Sequence, residues 1–121
     1  MSIDGSMLAA IKHDLKQALI GGRIDKIYQP EKRLLTFTIR NHGQNQSLLI
    51  SIHPQRPRVH LSWLDFENPD HPPAYCMLLR KYLIHGNIIG IKQPEFERVL
   101  YLEVERYDKQ YFLILEIMGR Y

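Results

Sequence analysis

Residues 33–53 read RLLTFTIRNHGQNQSLLISIH, and the pattern of this stretch indicates the class of the fold. Apolar side chains occupy every second position on both sides of a polar turn at residues 41–45: Leu35, Phe37 and Ile39 before it, and Leu48, Ile50 and Ile52 after it. A period of two is typical of strands with one buried face, and Asn and Gly favour the turn that joins such strands. The stretch therefore predicts an antiparallel hairpin with strands at 33–40 and 46–53.

The same period continues on both sides of this hairpin. Further strands are predicted at 23–28, 58–63, 87–92, 98–107 and 110–118, with turns at 29–32 and 108–109. The last strand is apolar on both faces, a pattern that favours an interior position in a sheet. Short connections between successive strands predict antiparallel pairing. The sequence shows no evident internal repeat.

Two segments have helical spacing instead. In residues 4–20 the apolar side chains recur three and four positions apart, with Asp4 as a candidate cap and two glycines as the stop. A second helix is predicted from Asp70, its candidate cap, to about His85. Its predicted buried stripe consists of Tyr75, Leu78, Leu79 and Tyr82. The expected fold class is α+β, with sandwich-like antiparallel β-sheets and two amphipathic helices in one domain spanning residues 1–121.

Length and composition exclude several classes of protein. A chain of 121 residues with 45% hydrophobic and 24% charged residues is typical of one globular domain. The single cysteine, Cys76, rules out an internal disulfide, and its apolar helical surroundings predict a buried thiol. The N-terminus lacks the pattern of a secretory signal, and no run reaches the roughly 18 apolar residues of a membrane span. We expect a cytoplasmic protein without membrane contact.

The charge of the chain permits a polyanionic partner. The net charge is +3 and the sequence pI is about 9.1. Basic side chains recur at strand and helix ends, where they could build one basic rim; the candidates for contact with a polyanion are Arg23, Lys26, Arg56, Arg58, Arg98 and Arg120. For any single one of these residues, an ordinary solvated surface with a buried aliphatic stem is the alternative.

The segment PEFERV, residues 94–99, places a carboxylate and a guanidinium side by side where a strand begins. Neighbouring side chains on a strand point to opposite faces, so Glu97 and Arg98 cannot pair with each other there. Arg98 shares its parity with the apolar positions of that strand and must lie at the sheet edge or find a partner. The segment is therefore either a polar contact point at the rim or a solvated turn.

Catalytic and metal-binding patterns are missing from the sequence. His53 and His60 are seven residues apart in strand regions, a spacing without helical metal-ligand character, and no Cys-x-x-Cys occurs. No serine has a nucleophile-elbow context, and the two glycines at 21–22 lie outside any phosphate-loop pattern. We expect no cofactor, no metal and no enzymatic activity.

Four stretches together resemble the NFACT family, whose members include bacterial proteins labelled fibronectin- or fibrinogen-binding and ribosome-quality-control tailing factors. They are GGRIDKIYQPEK (21–32), LLISIHPQRPRVHL (48–61), FENPDHPPAYCMLLRKYLIHGNI (66–88) and LEIMGR (115–120). The resemblance runs from Asp4 to Arg120. It implies that the chain is the first part of a longer N-terminal domain, similar in fold to the N-terminal domain of formamidopyrimidine-type DNA glycosylases.

The resemblance also implies a function. Family members bind large ribosomal subunits obstructed by peptidyl-tRNA and recruit tRNA, in bacteria chiefly alanyl-tRNA, so that the stalled chain receives an untemplated C-terminal tail. The family's Asp-Arg pair, needed for tRNA engagement, matches Glu97 and Arg98 here, with the acid one methylene longer. The family continues Met-Gly-Arg with His, where this chain has Tyr121.

Two other functions compete with this interpretation. The older family label suggests a surface adhesin for fibronectin or fibrinogen, although the sequence lacks a signal and an anchor pattern. The fold analogy suggests a DNA glycosylase, but those enzymes use an exposed N-terminal proline followed by an acid. Ser2 and Ile3 occupy these positions, so the secondary amine is missing.

Overall fold

The computed structural model describes residues 5–53, 57–94 and 99–116, and only the backbone of Gly5 and Ser6. The helices and strands follow in this order: α1 (Gly5–Leu19), β1 (Arg23–Glu31), β2 (Leu34–Asn41), β3 (Gln44–Ser51), β4 (Arg58–Leu61), α2 (Ala74–Leu83), β5 (Asn87–Lys92), β6 (Val99–Arg106) and β7 (Lys109–Glu116). In this part of the chain the strands form one seven-stranded antiparallel sheet, in the order β4-β3-β2-β1-β5-β6-β7. The predicted α+β class is confirmed.

The opening hairpin forms as its alternation predicts. Strands β2 and β3 pair in unbroken register from Leu34↔Ser51 to Asn41↔Gln44. Phe37, Ile39 and Ile50 are fully buried on the face that both helices cover. The turn is tighter than predicted, because only His42 and Gly43 lie outside the paired residues, both with positive φ. A two-residue turn of this kind matches the right-handed twist of the strands it joins.

The second helix buries a different stripe from the predicted one. Cys76, Leu79 and Leu83 face the core, whereas Tyr75, Leu78 and Tyr82 are exposed. The predicted cap is also wrong, because the helix begins after Pro73 and has no side-chain cap. Its sequence is apolar almost all the way round, so two stripes at helical spacing compete. Packing against β1 selects the stripe that begins at the small, buried Cys76.

Strand β7 lies at the edge of the sheet, which corrects the predicted interior position. Leu113 and Leu115 reach the core, but Phe112 and Ile114 on the other face are 52% and 54% exposed. An apolar pattern on both faces of a strand shows that the strand tolerates burial on both faces. The pattern does not determine which strands lie beside it in the sheet. The β6–β7 turn also shifts by one residue, to Tyr107-Asp108, both with positive φ.

The chain contains a structural repeat that the sequence analysis missed. Leu-Ile-Gly-Gly-Arg-Ile at 19–24 and Leu-Ile-His-Gly-Asn-Ile at 83–88 each lead from a helix into a strand, 64 residues apart. The two segments pair with each other: Arg23 is opposite Asn87 at the β1–β5 junction. The hydrogen bonds are reciprocal, with Ile24 N–H donating to Gly86 O at 2.9 Å and Ile88 N–H donating to Gly22 O at 2.8 Å. A pseudo-two-fold axis therefore passes through the middle of the sheet.

The repeat extends to the packing of the helices. Helix α1 packs on β5, and α2 packs on β1. Each of these two strands carries a register shift at the equivalent place, between Ile24 and Lys26 in β1 and between Ile88 and Gly90 in β5. The halves α1-β1-β2-β3 and α2-β5-β6-β7 thus share one plan, and β4 is added at one edge of the sheet.

Candidate nucleic-acid interface

Four of the seven predicted RNA-contact residues lie outside the described residues: Arg56, Glu97, Arg98 and Arg120. Arg23, Lys26 and Arg58 are described, and all three are exposed. The contacts of the Glu97–Arg98 pair are therefore not defined by the structure. Pro94 and Val99, which flank residues 95–98 in the sequence, are described.

Arg23 lies at the pseudo-two-fold junction and is engaged within the chain. Its Nε donates a hydrogen bond to Oδ1 of Asp25 at 2.7 Å. This bond lowers the pKa of the Asp25 carboxyl against the opposing effect of burial, and the charges of Arg23, His85 and Arg40 add to the lowering. The same bond, with the carboxylate charge, raises the pKa of the Arg23 guanidinium. Part of the charge of Arg23 is thus already balanced by a neighbour.

The described cations do not form the single rim that the sequence suggested. In the strand register Arg23 is opposite Arg40, at one end of β2. Arg58 is opposite Ser51, which is itself opposite Leu34 at the other end of β2. Six residues of strand separate these ends, or about 20 Å at the usual rise per residue. Arg23 and Arg58 therefore lie toward opposite ends of the strands.

A basic groove, which the sequence analysis did not identify, lies between α1 and the end of β5. We call it the lysine groove; its lining residues are Lys12, Lys16, Ile91, Lys92, Gln93, Pro94 and Tyr101. Its volume is about 340 Å³. Pro94 at its end is the last described residue before the Glu95–Arg98 segment. The groove thus opens beside the segment that the family resemblance associates with tRNA.

The amphipathic pattern of α1 produces this groove. Leu8, Leu15 and Leu19 are buried against the sheet, which leaves Lys12 and Lys16 along the flank that faces β5. The two lysines are one helical turn apart, so their side chains emerge in a row. Neither has an ion pair with another described residue. The sequence does show two lysines at i and i+4 on the polar face of a predicted helix. This pattern alone does not distinguish a binding site from an ordinary solvated surface.

Lys92 differs from the two helix lysines. Its Nζ lies 2.7 Å from Oε1 of Glu103 on the neighbouring strand, and that carboxylate is largely buried. The ion pair offsets the charge of Lys92. Tyr101, directly opposite Lys92 in the β5–β6 register, supplies a half-buried aromatic wall.

Other kinds of site find little support in the described ranges. Within residues 5–53, 57–94 and 99–116, no three His, Cys, Asp or Glu side chains come together in a way that could hold a metal ion. Cys76 is buried, as predicted, and its Sγ lies 3.5 Å from the carbonyl oxygen of Ile27. Neither of the two described helices has the length and apolar character needed to cross a membrane.

Comparison with known proteins identifies the family. Residues 4–121 match the family described as NFACT N-terminal and middle domains. The chain belongs to the NFACT family. The predicted resemblance is thereby confirmed.

Individual relatives share both sequence and fold with the chain. It is 40% identical over 126 residues to the Rqc2 homolog RqcH of Bacillus subtilis, covering 100% of this chain and 22% of that protein. The N-terminal part of the fibronectin/fibrinogen-binding protein of Streptococcus suis superposes with a TM-score of 0.94 at 40% identity, over 98% of this chain and 46% of that one. The N-terminal domain of the fibronectin-binding protein PavA of Streptococcus pneumoniae gives 0.92 at 40% identity, over 96% and 46%. The chain therefore spans about a fifth of that curated relative and just under half of these two solved domains.

Proposed function

We propose that this chain is a non-catalytic RNA-binding module of a ribosome quality-control factor. In this proposal it engages tRNA and the large ribosomal subunit that carries peptidyl-tRNA, and the factor supports untemplated alanine tailing of the stalled chain. The observation that carries the proposal is membership of a family whose relatives include proteins named as Rqc2 homologues. The basic groove beside the Glu95–Arg98 segment adds a physical reason, because clustered cations attract a polyanion.

In this proposal Arg98 is the main contact to tRNA, and Glu97 assists it. A guanidinium offers several donors in a fixed plane and suits phosphate or a base edge. A carboxylate can accept a hydrogen bond from a ribose hydroxyl or an exocyclic amine. The extra methylene of Glu97, relative to the family's Asp, moves its oxygens without removing their function as acceptors.

The test is affinity purification of the protein from cells, followed by identification of the bound RNA and ribosomal proteins. We expect large-subunit proteins and tRNA with the parent protein, and at least about a tenfold loss of tRNA with Arg98→Ala, since one charge-assisted contact contributes about 1.5–3 kcal/mol. Lys109→Ala is the matched control. It removes one exposed cation from the start of β7, about 23 Å along β6 from Val99 at the usual rise per residue. Equal tRNA recovery with Arg98→Ala and the parent would refute the assigned role of Arg98.

A second candidate is adhesion to fibronectin or fibrinogen, since two solved structures with the same fold bear those names. In a solid-phase assay, adhesion predicts saturable binding of immobilised fibronectin that persists in high salt. The RNA-binding proposal predicts that any such binding disappears as salt screens the surface charges.

A further inference from the structure

We propose that the lysine groove binds the phosphate backbone of RNA, with Lys12 and Lys16 as the phosphate contacts. This inference rests on the proposed function and deepens it, because it adds a second contact surface next to the Glu97–Arg98 pair. It is carried by three observations: the geometry of the groove, the lack of ion pairs between its two helix lysines and other described residues, and the contrast with the equivalent place in the other half of the molecule.

The pseudo-two-fold repeat supplies an internal control for the lysines. The offset of 64 residues, which relates Leu19 to Leu83, relates Lys16 to Arg80 and Lys12 to Cys76. Arg80 is tied to the fold: its Nε donates to the carbonyl oxygen of Ile27 at 2.8 Å. The guanidinium carbon of Arg80 also lies 5.4 Å from the centre of the Tyr28 ring.

In the other half, therefore, the Arg80 side chain connects α2 to β1. Cys76 contributes to the same connection, because its thiol approaches the carbonyl of Ile27 that Arg80 also contacts. At the lysine groove, Lys12 and Lys16 line an open space and form no ion pair with a described residue. Equivalent backbone positions thus carry a cation with a structural role in one half and two cations without such a role in the other.

The charge of the groove favours an anionic ligand. Two like charges at i and i+4 repel each other and destabilise a helix, so the pair Lys12–Lys16 brings the fold no benefit by itself. A bound anion removes this repulsion. Lysine offers a compact charge with three donors, which suits a phosphate oxygen in many orientations.

A nucleic-acid backbone fits the groove better than a single small anion does. The cations of the groove are spaced apart, because Lys12 and Lys16 lie one turn apart on α1 and Lys92 lies at the end of β5. Lys92 is balanced by Glu103, so most of the uncompensated charge comes from the helix. A row of charges beside an aromatic wall matches a chain of phosphates with a base or ribose against Tyr101.

Chain connectivity brings the groove and the Arg98 position within reach of one RNA. Arg98 is three residues before Tyr101, which lines the groove. Three residues span at most about 11 Å between Cα atoms. Whatever the path of residues 95–98, one RNA segment of a few nucleotides can therefore contact both places.

The experiment compares two double variants with the same change of charge. Lys12→Gln with Lys16→Gln removes the helix pair. The turn variant, Lys32→Gln with Lys109→Gln, removes two exposed lysines away from the groove, one in the β1–β2 turn and one directly after the β6–β7 turn. Binding of tRNA is measured by fluorescence anisotropy between about 50 and 200 mM salt. We expect the groove variant to bind about tenfold more weakly, with a salt slope reduced by about 2, and the turn variant to change less than about twofold. Thermal unfolding of both variants confirms that they remain folded.

A second ligand separates failure of this inference from failure of the proposed function. Inorganic polyphosphate presents a phosphate chain without ribose or bases. If the parent binds polyphosphate through Lys12 and Lys16 but does not bind tRNA, the groove stands and the tRNA function fails. If Arg98→Ala weakens tRNA binding while the groove variant behaves like the turn variant with both ligands, the groove assignment fails alone. Polyglutamate serves as a third probe, an acidic chain without phosphate. If the groove variant loses binding to polyglutamate but binds tRNA and polyphosphate like the parent, the phosphate assignment of the groove fails in favour of an acidic protein partner.

Discussion

The two halves of the molecule place the same backbone plan around different polar side chains. In the first half, the Asn41 amide donates to the carbonyls of Ala18 at 2.8 Å and Ile20 at 3.2 Å, at the C-terminus of α1. In the second half, Arg106 occupies the corresponding place before the hairpin turn, and its Nη1 donates to the carbonyl of Lys81. The last carbonyls of a helix need donors from elsewhere, and either an amide or a guanidinium supplies them.

The comparison teaches which features the fold requires and which it leaves free. The apolar residues at the junctions, such as Leu19 and Leu83 or Ile24 and Ile88, are the same in both halves and are buried. The polar residues around them differ. Where a polar residue differs and has no ion pair with a described residue, as at Lys16 against Arg80, its charge remains available to a ligand.

The largest effects are expected at the paired leucines that end the two helices. Leu19→Ala and Leu83→Ala each remove a buried side chain from the common core and should lower the free energy of unfolding by about 2–5 kcal/mol. Urea denaturation measures both. Leu78→Ala, on the exposed side of α2, is the control and should change stability by less than about 0.5 kcal/mol. If only one of the two substitutions lowered the free energy of unfolding, the two halves would not be equivalent.

The next largest effects on stability are expected at Gly22 and Gly86, each three residues after one of these leucines. A Cβ on Gly86 would lie 2.4 Å from Cγ1 of Val104, and one on Gly22 would lie 2.6 Å from Cγ2 of Ile39. Each Gly→Ala change should therefore cost about 1–3 kcal/mol through overpacking. In a Val104→Ala background the cost of Gly86→Ala should shrink, while that of Gly22→Ala should not. Equal costs in both backgrounds would show that the clash is not the cause.

Smaller effects on stability, of opposite sign in the two halves, are expected at the residue with positive φ in each helix–strand junction. Gly21 has a φ of +89° and His85 a φ of +69°. Gly21→Ala should cost about 1–2 kcal/mol, because the left-handed region is unfavourable for a residue with a Cβ. His85→Gly should gain up to about 1 kcal/mol for the same reason, after the entropy cost of glycine. Thermal unfolding of both variants tests the opposite signs, and destabilisation by His85→Gly would contradict them.

The smallest effect concerns pH. Because its folded-state pKa is lowered, mainly by the bond from Arg23, the Asp25 carboxylate stabilises the fold above its ordinary pKa of 3.8. That contribution should disappear as the pH falls through the lowered value. Asp25→Asn should therefore reduce stability at neutral pH and leave it closer to that of the parent in acid. Urea denaturation across pH 2 to 7 measures this difference, and a pH-independent gap between the two proteins would refute the cause.

The sequence alone determined the strands, because a period of two in apolar residues follows directly from one buried face. Strand β5 was predicted at its observed bounds, and β2 differs by one residue at each end. The burial of Cys76 and the family also followed from the residues. Local patterns were sufficient wherever one face of an element is apolar and the other polar.

Only the tertiary structure decided the elements whose sequence is apolar on every side. Helix α2 could bury either of two stripes, and its packing on β1 chose Cys76, Leu79 and Leu83. Strand β7 tolerates burial on both faces, but the order of the sheet placed it at the edge. The lysine groove likewise required the fold, because Lys12 and Lys92 are 80 residues apart and meet only when α1 packs across the axis onto β5. Periodicity reports how much of a segment must be buried, whereas the choice of partner depends on long-range pairing that no local pattern encodes.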